Sequence, residues 1–209
     1  MIKNFLFDLG GVIITLDQQQ AIRRFQEIGL KDADQRLDAY TQEGIFGDLE
    51  RGAISAETFR EKLSELIGKE VTLEACAYAW RGYCKEVPER NLQALKRLKK
   101  EGYRLILVSN TNPFMTDWVM SSDFDGHGNP LSAYMDSCHL SYKLGVMKPN
   151  DLFFRKVMLA EMIYPSESLF VDDGPKNVAA ASQLGLLTYC PQNGEDWTTK
   201  IDDYLHPSL

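Results

Sequence analysis

The sequence predicts an α/β fold: a doubly wound parallel sheet whose first strand is followed by a large helical insertion. Three observations carry this. Short apolar runs that end in polar loops recur at residues 1–7, 103–108, 136–141, 169–171 and 186–190. Helical spacing lies before and between the last four of them, at 89–101, 113–120, 151–162 and 175–184. From residue 18 to 88 the pattern is helical throughout, with no strand-like alternation. Strand–helix alternation with short connections implies right-handed crossovers and a parallel sheet covered on both faces.

The first run holds Met1, Ile2, Phe5, Leu6 and Phe7, is cut by Asp8, and passes through Leu9-Gly10-Gly11 before Val12-Ile13-Ile14 resumes the apolar pattern. An acid and two glycines after such a run read as a buried strand delivering a carboxylate to a tight loop, where glycine lets the backbone approach a ligand. Asp8 as a mere cap for a following helix is the competing reading.

Helical spacing then appears at Ile22, Phe25 and Ile28, at Leu37 and Tyr40, and at Phe59, Leu63, Leu66 and Ile67, punctuated by glycines at 29, 44, 47, 52 and 68. Ser55 is placed as an N-cap with Glu57 in the first turn. A further helix is expected over 74–85, stopping before Pro88. Residues 16–87 therefore read as a helical domain, and residues 1–15 with 88–209 as the α/β core. Trp80, Tyr83 and Phe46 are expected in the helical core, the alternative being that one or two of them face the site entrance and shape substrate choice.

In the second part, Leu92, Leu95 and Leu98 mark a helix with Lys96, Lys99 and Lys100 toward its end and Gly102 as its stop. The next strand ends at Ser109-Asn110-Thr111-Asn112. The stretch from Asp123 to Asn129 resembles part of a calcium loop, but its closing position is Tyr134 instead of Glu, so a flexible surface loop is expected. Lys148-Pro149 precedes the helix at 151–162. The strand at 169–171 ends in Asp172-Asp173-Gly174, and Gly185 closes the following helix.

The bulk composition narrows the function. With 44% apolar and 25% charged residues among 209, a packed core is expected. A formal charge of −7 argues against nucleic-acid binding. It leaves anionic substrates open, because a metal or a few local cations can reverse the sign at a site. Cys76, Cys84, Cys138 and Cys190 form no CxxC pair, which suggests free thiols in a reducing compartment. No apolar run has membrane-spanning length and the N-terminus lacks a signal-peptide pattern, so the expectation is a cytoplasmic protein, monomeric or homodimeric.

Polar residues gather where strands end. Parallel strands place all their carboxyl ends on one edge, where ligands bind in open α/β sheets. Asp8, Ser109-Asn110-Thr111, Lys148 and Asp172-Asp173 should converge there. Paired acids can hold Mg²⁺, a hydroxyl, a lysine and loop amides suit phosphoryl oxygens, and a carboxylate can serve as nucleophile. Ser109 as a helix cap and Lys148 as a solvated lysine are the bland alternatives. Two adjacent acids after a buried strand are harder to dismiss, since they repel unless a cation or donors compensate. The histidines at 127, 139 and 206 are scattered, and none is assigned to catalysis.

These motifs resemble those of the haloacid dehalogenase (HAD) superfamily, most of all its bacterial phosphatases with a helical cap. Phe7-Asp8-Leu9-Gly10-Gly11-Val12 is similar to the first motif, Ser109-Asn110-Thr111 to the second, Lys148-Pro149 to the third and Phe170-Val171-Asp172-Asp173 to the fourth. The resemblance covers nearly the whole chain and implies a Rossmann-like core with the cap at 16–87. It implies Asp8 as nucleophile, with Asp8, Asp173 and the Gly10 carbonyl holding Mg²⁺ and Asp172 assisting as a ligand or through water. It further implies that Ser109 and the Asn110 amide bind phosphoryl oxygens and that Lys148 neutralises the nucleophile. The implied substrate is a small phosphate ester, and relatives with the same Asp-Leu-Gly signature include sugar-phosphate phosphatases.

One departure stands out. Such phosphatases usually carry a second acid two residues after the nucleophile as general acid–base, and here that residue is Gly10. Asp17 and Glu50 are candidates to replace it. The rival readings are a metal-independent 2-haloacid dehalogenase, disfavoured by the acid pair Asp172-Asp173, and a catalytically weak phosphometabolite-binding protein, favoured by Gly10 alone.

Overall fold

A computed structural model of the chain describes residues 1–38 and 42–205; Tyr40 and His206 lie outside the described residues. In chain order the elements are β1 (Asn4–Phe7), β2 (Thr15–Leu16), α1 (Gln18–Glu27), α2 (Ala33–Arg36), α3 (Gly44–Glu50), α4 (Ala56–Ile67) and α5 (Leu73–Trp80). There follow β3 (Cys84–Glu86), α6 (Glu89–Lys100), β4 (Arg104–Ser109), α7 (Pro113–Val119), β5 (Ser137–Leu140) and α8 (Ser141–Leu144). The chain continues through α9 (Asp151–Glu161), β6 (Ser168–Val171), α10 (Pro175–Gln183), β7 (Leu187–Tyr189) and α11 (Asp202–Leu205).

The main sheet has five parallel strands in the order β5-β4-β1-β6-β7, with β1 at its centre. Because side chains alternate along a strand, β1 feeds both faces. Phe5 and Phe7 point to one face with Leu105, Leu107, Leu169 and Val171. Leu6 points to the other with Ile106, Val108 and Phe170. The apolar stripe of α6 (Leu92, Leu95, Leu98) covers the first face together with Trp197. Phe153, Phe154 and Val157 of α9 and Ala181 of α10 cover the second. Each fully buried side chain of this size is worth roughly 1.5–3 kcal/mol against exposure. The doubly wound α/β expectation is borne out.

The helices α1 to α5 lie between β2 and β3. Their core is aromatic: Phe25 packs edge-on against Phe46 at 5.4 Å, Phe46 against Phe59 at 5.3 Å, and Phe59 reaches Phe114 of α7 at 5.8 Å. Ser55 caps α4 by accepting from the Thr58 amide at 3.1 Å, as its position suggested.

Two local expectations are corrected. The helix expected over 74–85 stops at Trp80, and Cys84–Glu86 is a strand paired antiparallel with Thr15–Leu16. A 3-10 turn at Arg81–Tyr83 joins helix and strand, and its Gly82 is pressed so tightly on α1 that a Cβ would lie 2.7 Å from the Ala21 Cα. The strand's partner sits at the far end of the helical segment, so no local periodicity announces it. The loop at 123–129 is not left loose either. Asp125 is buried and accepts from the His127 and Asn129 amides (2.7 and 2.9 Å), Asn129 Nδ2 (2.8 Å) and the Tyr134 hydroxyl (2.6 Å).

Candidate active site

Strand register sets the site. Phe7 lies opposite Leu107 on one side and Val171 on the other, so the residues after β1, β4 and β6 emerge side by side at the carboxyl edge. The Asp8 amide extends the ladder by donating to the Val171 carbonyl at 2.9 Å, which fixes the backbone from which its carboxylate projects. Asp8 Oδ1 accepts from the Leu9 amide at 2.7 Å and pairs with Lys148 Nζ at 3.0 Å.

Lys148 is buried beneath the acids. Its ammonium donates to the Val108 carbonyl at 2.9 Å and to Asp172 Oδ2 at 2.5 Å. A solvated surface lysine is thereby excluded. Asn110 staples the loop that carries it: Oδ1 accepts from the Lys148 amide at 2.8 Å and Nδ2 donates to the Lys148 carbonyl at 2.9 Å. The Asn110 side chain therefore has a structural task. Ser109, at the end of β4, is buried with Oγ 3.3 Å from the Asn110 carbonyl.

The two adjacent acids differ in their surroundings. Asp172 is saturated: Oδ1 accepts from the Gly174 amide (2.8 Å) and Asn177 Nδ2 (3.0 Å), while Oδ2 takes Lys148. Asp173 lies over Gly11, where a Cβ would fall 2.0 Å from its Oδ2. Gly11 also has φ +72°, so glycine is required there for both space and backbone.

Asp8, Asp172 and Asp173 each place a carboxylate oxygen within 4.8 Å of the others. Burial, with the neighbouring acids adding to it and Lys148 opposing, pushes the Asp8 carboxyl up to about 8. Burial and the Asp172 charge push Asp173 up to about 7. Burial works against the Lys148 charge as well, but Asp172 and Asp8 outweigh it and hold the ammonium above its ordinary range. One lysine among three clustered acids leaves the site short of positive charge. A hard divalent cation with oxygen ligands is the group that such a donor set fits.

A cavity of about 90 Å³ opens on this cluster, lined by Asp8, Gly10, Ser109, Asn110 and Asp173. Its opposite wall comes from the helical segment: Gln42, Glu50, Trp80 and Tyr83. Trp80 and Tyr83 are thus both packed and cavity-facing, whereas Phe46 belongs to the aromatic core. Asp17 is occupied as the N-cap of α1, accepting from the Gln20 amide at 2.9 Å. Sequence reasoning missed Asn112, Gln42 and Asn177; of these only Asn112, which directly follows the Ser109-Asn110-Thr111 motif and caps α7, carried a local signal.

The model of the haloacid dehalogenase-like hydrolase family matches residues 2–185. The chain belongs to this family. The hydrolase is 45% identical over 201 residues to the D-ribitol-5-phosphate phosphatase of Bacteroides thetaiotaomicron, covering 96% of this chain and 97% of that one. A predicted HAD-like family hydrolase from Porphyromonas gingivalis superposes with a TM-score of 0.93 at 42% identity, covering 98% of each chain. A HAD family enzyme from Bacteroides thetaiotaomicron, solved in complex with magnesium and inorganic phosphate, gives 0.87 at 34% identity, covering 96% of this chain and 99% of that one.

Proposed function

We propose that this hydrolase is a Mg²⁺-dependent phosphatase of small phosphorylated metabolites, with sugar and polyol phosphates as its substrate class. The observation that carries it is the arrangement of Asp8: one oxygen is held by the Leu9 amide and Lys148, in a cavity that also presents Ser109, loop amides and Asp173. The magnesium- and phosphate-bound relative and the ribitol-phosphate phosphatase support the same reading.

In this reading Asp8 attacks phosphorus and forms an aspartyl-phosphate, which splits a difficult displacement into two easier ones. Asp8, Asp173 and the Gly10 carbonyl hold the cation, with Asp172 acting through Lys148 or a bound water. Bound there, Mg²⁺ supplies charge that offsets the phosphoryl oxygens. Ser109 and the Asn110 amide hold those oxygens in line. Lys148 holds Asp8 in place and, with the cation, favours its charged form against burial. Residues 16–87 act as a cap over residues 1–15 and 88–209, closing the cavity with Gln42, Glu50, Trp80 and Tyr83 and excluding water. No described helix is long and apolar enough to cross a membrane; with its four free cysteines, the protein is assigned to the cytoplasm.

The test is phosphate release from a panel of sugar, polyol and aryl phosphates, with Mg²⁺ and with excess EDTA, beside a 2-haloacid control. Metal-dependent release is expected, strongest on polyol or sugar phosphates. Metal-independent halide release would overturn the reading.

A further inference from the structure

Gly10, two residues after Asp8, has no side chain with which to protonate a departing alkoxide. The cavity contains another acid that the reaction above does not use. Glu50, the last residue of α3, is buried and lines the cavity together with Asp8, Ser109 and Asp173, close enough to feel the Asp8 charge.

Its position is fixed from the core side of the molecule. The Glu50 carbonyl accepts from Ser141 Oγ at 2.6 Å, and Ser141 Oγ in turn accepts from the Thr111 amide at 2.9 Å, next to the Ser109-Asn110 loop. Two residues on, Gly52 (φ +70°) is seated so closely on Tyr142 that a Cβ would fall 2.0 Å from its carbonyl oxygen. The end of α3 is therefore tied to the α/β core at two points. Among the described residues, one hydrogen-bonding side chain acts on the Glu50 carboxyl. Asn112, whose Nδ2 lacks a hydrogen bond of normal length and angle among the described residues, is the polar side chain beside it.

We propose that Glu50 is the general acid–base catalyst of this hydrolase, reaching the leaving oxygen from the helical side in place of the acid missing at Gly10. The inference rests on the phosphatase reading above. Burial, with Asn112 opposing and the Asp8 charge adding, pushes the Glu50 carboxyl up to about 8, so it is protonated at neutral pH. The other ionisable groups that act on it are Arg51, which favours its charged form, and Tyr83, whose hydroxyl stays neutral because burial raises it.

The proton balance closes over two steps. As Asp8 forms its bond to phosphorus, the bond to the ester oxygen breaks and Glu50 gives that oxygen its proton, releasing the alcohol. The Glu50 carboxylate then takes a proton from water as the water oxygen attacks phosphorus. The bond to Asp8 breaks, inorganic phosphate leaves, and both carboxyl groups return to their starting states.

The experiment compares kcat/KM of the parent protein, Glu50→Gln and Glu50→Asp over a series of esters from polyol phosphates to para-nitrophenyl phosphate. General acid help typically contributes about 10²–10⁴-fold, so Glu50→Gln should lose that much at the polyol end. At the nitrophenyl end, where the leaving group needs no proton, the loss should stay within about threefold. Glu50→Asp, a shorter acid, should fall between parent and Glu50→Gln at the polyol end alone. An equal loss across the whole series would overturn the proposal in favour of a structural role, and so would no loss anywhere. A parent protein without Mg²⁺-dependent release on any ester would overturn the phosphatase reading, and this proposal with it.

Discussion

Gly11→Ala is the most local test of the acid cluster. The added Cβ would lie 2.0 Å from Asp173 Oδ2 and 2.2 Å from its Cγ. Carbon contacts settle near ~3.5 Å, so the Asp173 carboxylate must retreat by more than about 1 Å. Metal–ligand distances tolerate only about ±0.2 Å, which makes Asp173 unable to hold the cation together with Asp8. The expected result is a Mg²⁺ affinity lowered by about 10–100-fold, the range seen when the support of a ligand is lost. The residue also has φ +72°, which adds roughly 1–2 kcal/mol of backbone strain once a Cβ is present. Gly102→Ala separates the two effects: its φ is +91°, but nothing lies within 4 Å of the new Cβ. Calorimetric Mg²⁺ titration of the two variants, with urea denaturation alongside, should show similar strain in both and lost metal affinity only in Gly11→Ala. Parental Mg²⁺ affinity in Gly11→Ala would refute Asp173 as a ligand.

Three further outcomes follow from the same geometry. Lys148→Met leaves Asp8 and the fully buried Asp172 without their cation and should cost about 3–5 kcal/mol in urea denaturation; a loss below about 1 kcal/mol would contradict that pairing. Asp125→Asn should lower stability at neutral pH, because four hydrogen bonds outweigh burial and hold the Asp125 carboxyl well below its ordinary range. A depressed carboxyl stabilises the fold above its unfolded value and loses that effect as pH falls, so the gap between parent and variant should shrink below about pH 4. Asp8→Asn should abolish turnover while circular dichroism and thermal unfolding report an intact fold; a variant retaining parental activity would exclude Asp8 as nucleophile.

The parallel sheet was legible because its central strands β1, β4 and β6 are buried on both faces and therefore read as short continuous apolar runs. The convergence of Asp8, Ser109 and Asp172-Asp173 followed from topology, since parallel strands share one carboxyl edge; Lys148 reaches that edge from the loop between α8 and α9. What stayed hidden depends on distant pairing. Cys84–Glu86 is a strand only because Thr15–Leu16 lies beside it. Residues 74–85 carried a helical pattern, but the α-helix ends at Trp80 and a 3-10 turn at Arg81–Tyr83 leads into the strand. The part of the cavity lining that comes from the helical segment was only partly legible for a similar cause. Glu50 was one of two candidates for the missing acid, and its burial beside the cavity rests on distant contacts of α3 with Ser141 and Tyr142. The resemblance left open whether Asp172 assists as a ligand or through water, and its oxygens are already taken by Lys148, Gly174 and Asn177.

The central claim is that Asp8 carries the phosphoryl group. Rapid acid quenching of the enzyme during turnover of a labelled phosphate ester with Mg²⁺, followed by peptide mapping, tests it directly. The expected result is label on the peptide containing Asp8, stable in acid, released by hydroxylamine and absent from Asp8→Asn. Full turnover with no protein-bound label, or label on another residue, would contradict it.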